Sequence, residues 1–230
     1  MAAIVSENLA NVMERIAKAA RKVGRDPNEI KLIAVTKSVE AKKVKEALSC
    51  GARIFGENYV QEAEEKIKKV RDGSVKWHFI GHLQKNKVKI AVDMFDVIET
   101  VDTLSLAEEL NKRADKPLEV FIEVNLAKEK TKTGCYLDGV IKLAKAISEL
   151  PMLRLTGLMS VPPAMPEPEA SRPYFITLRR LAERINKEHI PGVFIRNLSM
   201  GMSNDFEVAV EEGATYVRVG TAIFGPRAPK

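Results

Sequence analysis

The strongest constraint on this chain is a rhythm. From residue 32 onward, short apolar segments bounded by polar residues alternate with longer stretches whose apolar positions recur at helical spacing. The segments at 32–35, 53–55, 76–80, 95–99, 118–124, 153–158, 194–198 and 216–219 read as strands buried on both faces. Between them, 40–49, 58–70, 83–92, 103–114, 137–150, 169–189 and 205–211 read as helical, with Asp102 placed to cap the fourth. Strict alternation implies parallel strands joined by right-handed crossovers. Eight such units close into a barrel. The last strand has no helix after it, but Val5, Leu9, Val12, Ile16, Ala20 and Val23 are spaced by threes and fours. The first 23 residues therefore predict a spare amphipathic helix that covers the seam between the last and first strands. The expectation is an α/β fold, a single (β/α)8 TIM barrel with an extra N-terminal helix, one domain over residues 1–230. A doubly wound open sheet is the alternative. It needs edge strands, and no segment looks short or polar enough to be one.

Composition narrows the class. Of 230 residues, 45% are apolar, enough for a large core, and 30% are charged. No apolar run approaches the roughly 20 residues of a spanning helix. The N-terminus carries Glu7 and Glu14 inside its apolar pattern and does not read as a signal peptide. Cys50 and Cys135 lack metal-type spacing and read as buried or half-buried small apolar residues, which points to a reducing, cytoplasmic setting with no metal site. The net charge of +6 suits an anionic small ligand. The basic residues are scattered over helices without the aromatic platform of a single-strand binder, so neither nucleic acid nor membrane is an expected partner.

Barrel enzymes carry their chemistry at the C-terminal ends of the strands, and the unusual polar residues of this chain gather there. They are Lys37, Asn58, His82, Glu123, Met159-Ser160, Ser199-Met200-Gly201, Arg218 and Gly220-Thr221. Each has a bland reading. Lys37 could be solvated, Asn58 a helix cap, His82 a satisfied core histidine, Ser199 and Thr221 turn residues, and Arg218 a partner of Glu123. Their coincidence at one end of one barrel favours a site. The loops after strands seven and eight often hold a phosphate. A desolvated lysine across the mouth suits Schiff-base chemistry with a carbonyl.

The strings AVTKSVE at 34–40, FGENYVQEAEEK at 55–66, WHFIGHLQKNKVK at 77–89 and TKTGC at 131–135 extend this reading. So do GLMSVPP at 157–163, LSMGMSNDFEVAVEEGAT at 198–215 and VRVGTAIFG at 217–225. Together they resemble the pyridoxal 5'-phosphate (PLP) homeostasis protein family, single-domain fold-type III PLP proteins similar to the barrel domain of alanine racemase. The resemblance covers nearly the whole chain. It implies PLP held as a Schiff base on Lys37. It implies a cofactor phosphate bound by Ser199, Gly220 and Thr221 with nearby backbone amides, including those of Met200 and Gly201. It also implies Arg218 at the pyridine nitrogen, Asn58 and His82 near the ring, and Met159 and Ser160 lining the pocket.

Guanidinium only donates hydrogen bonds. Arg218 would keep the pyridine nitrogen unprotonated and the ring a poor electron sink. Related racemases take their second acid–base group, a tyrosine, from a further domain that this sequence does not contain, and no tyrosine here is an obvious substitute. The expectation is a monomeric carrier that buffers PLP or hands it to apo PLP-dependent enzymes, with no catalytic residues. The alternatives are a weak amino-acid racemase, a phosphosugar-type barrel enzyme and, least favoured, a nucleic-acid-binding module. Lys128, Lys130 and Lys132 after strand five could steer anionic PLP, although a solvated loop is the simpler reading.

Overall fold

The protein is described from a computed structural model covering residues 2–129 and 131–226. Eight parallel strands close into a barrel in chain order. They are β1 (Lys31–Val35), β2 (Ile54–Glu57), β3 (Lys76–Phe79), β4 (Val97–Val101), β5 (Leu118–Glu123), β6 (Leu153–Met159), β7 (Asn197–Ser199) and β8 (Tyr216–Val219). The helices are α1 (Ala2–Lys22), α2 (Ala41–Ser49), α3 (Val60–Val70), α4 (Val88–Met94), α5 (Leu104–Arg113), α6 (Val140–Ser148), α7 (Arg172–Lys187), α8 (Phe206–Glu211) and the single turn α9 (Thr221–Phe224). The seam closes by four register pairs between β1 and β8, among them Ile33 with Arg218.

The core has two compartments. Ile33, Val97, Phe121, Met159 and Tyr216 pack together inside the barrel. A larger apolar layer joins the outward faces of the strands to the helices. Helix α1 buries Val5, Leu9, Val12, Ile16 and Ala20 against this layer and packs on α8, α9 and α2. The spare helix thus covers the seam, as its spacing predicts. Arg15 reinforces it by pairing with Glu207 at 2.6 Å, and Asn8 donates to the Ile223 carbonyl at 3.0 Å.

Several local expectations are corrected. The last strand is followed by a helix after all, the one turn α9. Thr103, not Asp102, caps α5 by accepting from the Leu106 amide. Before α4 the chain forms a 3-10 turn at Lys85–Lys87, so this helix starts later than its apolar pattern suggests. The seventh strand begins at Asn197 instead of 194. Phe194 is exposed, and the Asn186 side chain takes both the N–H and the C=O of Ile195, so no ladder partner is needed there. Cys50, expected to be buried or half-buried, is exposed at the C-terminus of α2, while Cys135 is half-buried. Among the described residues no helix is long and apolar enough to cross a membrane.

Candidate functional site

Lys37 sits in the turn that leaves β1 and is half-buried. Its neighbours are held from both sides. Buried Lys66 on α3 donates to the Thr36 carbonyl at 2.6 Å, to Glu57 at 2.5 Å and to Glu62 at 2.8 Å. Thr36 donates its hydroxyl to Glu57 at 2.6 Å. The Ser38 amide donates to Glu62 at 2.5 Å, which supports the left-handed backbone of Ser38 (φ 60°). Burial pushes the Glu57 carboxyl up, with Lys66 opposing it. The residues before and after Lys37 are therefore anchored to α3 and the end of β2. Sequence reading places Glu57 at the end of the second strand without a role and misses Glu62 and Lys66. The i, i+4 spacing of Glu62 and Lys66 was visible, but it looks the same on any solvated helix face.

On the neighbouring strand β8, Arg218 is buried and donates to Ser199 Oγ at 2.7 Å and to the Ser160 carbonyl at 2.8 Å. Ser199 Oγ passes its own proton to Glu99 Oε2 at 2.5 Å. Glu99 Oε1 meets His78 Nδ1 at 2.6 Å. Desolvation lowers the Arg218 pKa, while Glu99, Asp205 and Glu123 work against that shift. Among the described residues Arg218 makes no direct ion pair, so the expected Arg218–Glu123 contact is replaced by a hydroxyl-bridged link to Glu99. The histidine satisfied in the core is His78, not His82, which is exposed at the mouth.

The two loops expected to hold a phosphate lie side by side, with different residues to the fore. The Ser199 hydroxyl, assigned above to the phosphate, is fully buried and spent on Arg218 and Glu99. Four residues on, half-buried Ser203 reaches the next loop and accepts from the Ala222 amide at 3.4 Å. Gly220 precedes α9, and Thr221 at its first position is exposed. Gly201 has φ +89°, and a Cβ there would lie 2.5 Å from Ala209 Cβ, so only glycine lets this loop settle on α8. Met200 is buried against the outer layer, and Met159 belongs to the barrel interior instead of forming an open wall. Ser160 is likewise buried, its hydroxyl on the Val124 carbonyl.

At the mouth a cavity of about 300 Å³ is lined by Asn58, Gly81, His82, Glu123, Asn125 and Thr133, among others. Asn58 is not the helix cap. Tyr59 occupies that position in α3, and Asn58 Oδ1 is buried with no hydrogen-bond partner among the described residues. A Cβ on Gly81 would lie 2.3 Å from the Asn58 carbonyl oxygen, so the loops after β2 and β3 touch backbone to backbone. Glu123 accepts from Thr133 at 2.9 Å and 3.0 Å, and burial pushes its carboxyl up. The loop after β5 is strapped down at Asn125 and Lys132. Asn125 holds the Glu129 and Lys132 carbonyls, and Lys132 joins Glu129 at 2.8 Å and the Pro162 carbonyl at 3.2 Å. Lys128 is exposed, and Lys130 lies outside the described residues.

The arrangement thus brings together an anchored lysine at β1, a buried guanidinium at the neighbouring β8, a two-loop cradle of neutral donors after β7 and β8, and an unsatisfied amide oxygen in the mouth. These parts offer a small ligand an amine, a fixed donor-only guanidinium and neutral donors.

Comparison with known proteins agrees with this geometry. Residues 8–228 match the family described as alanine racemase, N-terminal domain. A pyridoxal phosphate homeostasis protein of Aquifex aeolicus is 44% identical over 224 residues, 96% of this chain and 97% of that one. A protein of the same name from Escherichia coli is 42% identical over 229 residues, 97% of each. The structure of PipY from Synechococcus elongatus with PLP bound is 34% identical, covers 96% of this chain and 100% of that one, and superposes with a TM-score of 0.84. Alanine racemase of Corynebacterium glutamicum, 17% identical with a TM-score of 0.76 over 98% of this chain and 62% of its own, shares the fold. A chain with this barrel, these loops and relatives this similar over nearly its whole length belongs to the pyridoxal phosphate homeostasis protein family.

Proposed function

We propose that the protein binds PLP as a Schiff base on Lys37 and serves intracellular PLP homeostasis, buffering the cofactor or delivering it to apo PLP-dependent enzymes. It works as a cytoplasmic monomer. The observation that carries this reading is buried Arg218. Its donor-only guanidinium, fixed by Ser199 and Ser160, offers a ring nitrogen a hydrogen bond and no proton. When bound, PLP supplies an aldehyde for a lysine amine and a ring that withdraws electrons. Facing Arg218, the ring withdraws them weakly, which suits holding over turnover.

The remaining roles follow from placement. Gly220, Thr221, the backbone of Met200 and Gly201, and Ser203 in the place first given to Ser199 bind the phosphate. Asn58 and His82 meet the ring edge from the mouth. Met159 and Ser160 support the pocket floor from beneath. The relatives named as homeostasis proteins and the PLP bound to PipY support the ligand assignment. A low-activity racemase remains the second reading, because Glu123 places a buried carboxyl, its pKa raised by burial, in the mouth cavity. Solvent-deuterium exchange at the α-carbon of alanine separates the two. Rapid exchange lost in Glu123→Gln favours the racemase.

The direct test is borohydride reduction of the PLP-loaded protein followed by peptide mass mapping. The reduced pyridoxyl group is expected on Lys37. A stoichiometric adduct at any other lysine overturns the assignment.

A further inference from the structure

We propose that Glu99 is the positioning residue for Arg218, acting through Ser199, and that this buried link sets the electrostatic environment of the bound cofactor. The proposal rests on the PLP reading above and names a determinant inside the barrel that does not touch the ligand.

Hydrogen-bond direction carries the argument. Arg218 can only donate, so Ser199 Oγ receives at 2.7 Å and must send its single proton elsewhere. That proton goes to Glu99 Oε2 at 2.5 Å. Glu99 Oε1 is paired with His78 Nδ1 at 2.6 Å, which donates to it in the tautomer that carries the hydrogen on Nδ1. The donors from Arg218 through Ser199 run into Glu99, which makes it the acceptor at the end of that path. The series crosses the barrel from β3 and β4 to β7 and β8, and His78, Glu99, Ser199 and Arg218 are all buried.

Burial makes this charge necessary. A buried guanidinium needs a compensating anion. Three carboxylates act on Arg218 through space, namely Glu99, Asp205 and Glu123. Asp205 is occupied by the Met202 amide and Glu123 by Thr133. Among the described residues, Glu99 is the one of the three joined to Arg218 through a side-chain hydroxyl. The intervening hydroxyl also keeps the carboxylate from gripping the guanidinium directly. Arg218 is thereby aimed while part of its donor set stays available to a ring acceptor.

The test uses full-length PLP-loaded protein and follows the visible absorbance of the bound cofactor against pH. Glu99→Gln keeps the shape and removes the anion. The uncompensated guanidinium then disfavours an added proton on the cofactor, so the midpoint is expected to fall by about one unit, a tenfold change. Ser199→Ala cuts the path, leaves the charge in place, and is expected to give a smaller fall in the same direction. It serves alone if Glu99→Gln does not fold. Thermal melting without PLP is measured alongside. Variants that melt earlier with an unchanged midpoint overturn the proposal, since Glu99 is then a packing element only. A wild-type protein that shows no PLP absorbance overturns the cofactor reading and this proposal with it, an outcome distinct from a yellow wild type with a yellow, unshifted Glu99→Gln.

Discussion

At the scale of single residues, the arrangement around Lys37 depends on a lysine that never meets the mouth. Lys66 neutralises Glu57 in a dry site and holds the Thr36 carbonyl. Breaking one partner of a buried pair is costly because the other charge stays behind. Lys66→Met should lower unfolding stability by about 3 kcal/mol in denaturant melts. Adding Glu57→Gln to it should recover part of that loss. If the single variant is as stable as wild type, the clamp contributes nothing. These residues were not legible in the sequence as a unit, because Glu57, Glu62 and Lys66 meet only when α3 lies back on the end of β2. Ser199 shows the same limit from the other side. Its position at a strand end was legible, but whether its hydroxyl points into the barrel or out to the ligand depends on strand twist and register. The structure turns Ser199 inward onto Arg218 and Glu99, and Ser203 meets the Ala222 amide instead.

At the scale of elements, apolar periodicity located all eight strands and their intervening helices, and it misjudged ends wherever a side chain replaced the ladder. The 194–196 segment is the clear case. It is apolar enough to read as strand, yet Asn186 on α7 satisfies the Ile195 backbone. Helix α5 offers a direct check of cap assignment. Thr103 accepts from the Leu106 amide at 3.3 Å, so Thr103→Ala should cost about 1 kcal/mol. Asp102→Ala should stay within about 0.5 kcal/mol of wild type, as an ordinary surface change does. Chemical denaturation of both variants decides it, and the reverse order would restore Asp102 as the cap. Helix α1 matters in another way. It packs on α8 and α9, the elements that follow β7 and β8, so the N-terminal segment supports the loops at the end of those two strands.

At the scale of the whole molecule, buried carboxyls give stability an unusual pH dependence. Glu57 and Glu123 both titrate above the ordinary carboxyl value of 4.5, burial being the main cause. The folded state holds these protons more tightly than the unfolded chain. Their contribution is therefore fully present below 4.5 and is lost as pH rises through the folded values. Glu211 behaves oppositely. Burial raises it, but hydrogen bonds from Lys22 and Arg172 outweigh that and hold it low. Its contribution is lost as pH falls below 4.5 towards its lowered folded value. Stability should thus peak on the acid side of neutrality. Glu123→Gln should flatten the gain between neutral pH and the peak in thermal melts. An undiminished gain would show that Glu123 is not its source.

What the sequence by itself determined is the barrel, the spare helix at its seam, and the rim on which Lys37, Asn58, His82, Arg218, Gly220 and Thr221 stand. These follow from apolar period and strict alternation, which are local properties of a chain. Only the tertiary structure decided which polar groups face one another. The path from His78 through Glu99 and Ser199 to Arg218 joins residues 140 positions apart. Such pairings depend on barrel closure, which brings the last strand against the first and turns alternate side chains inward. No local pattern records which of those inward side chains will meet.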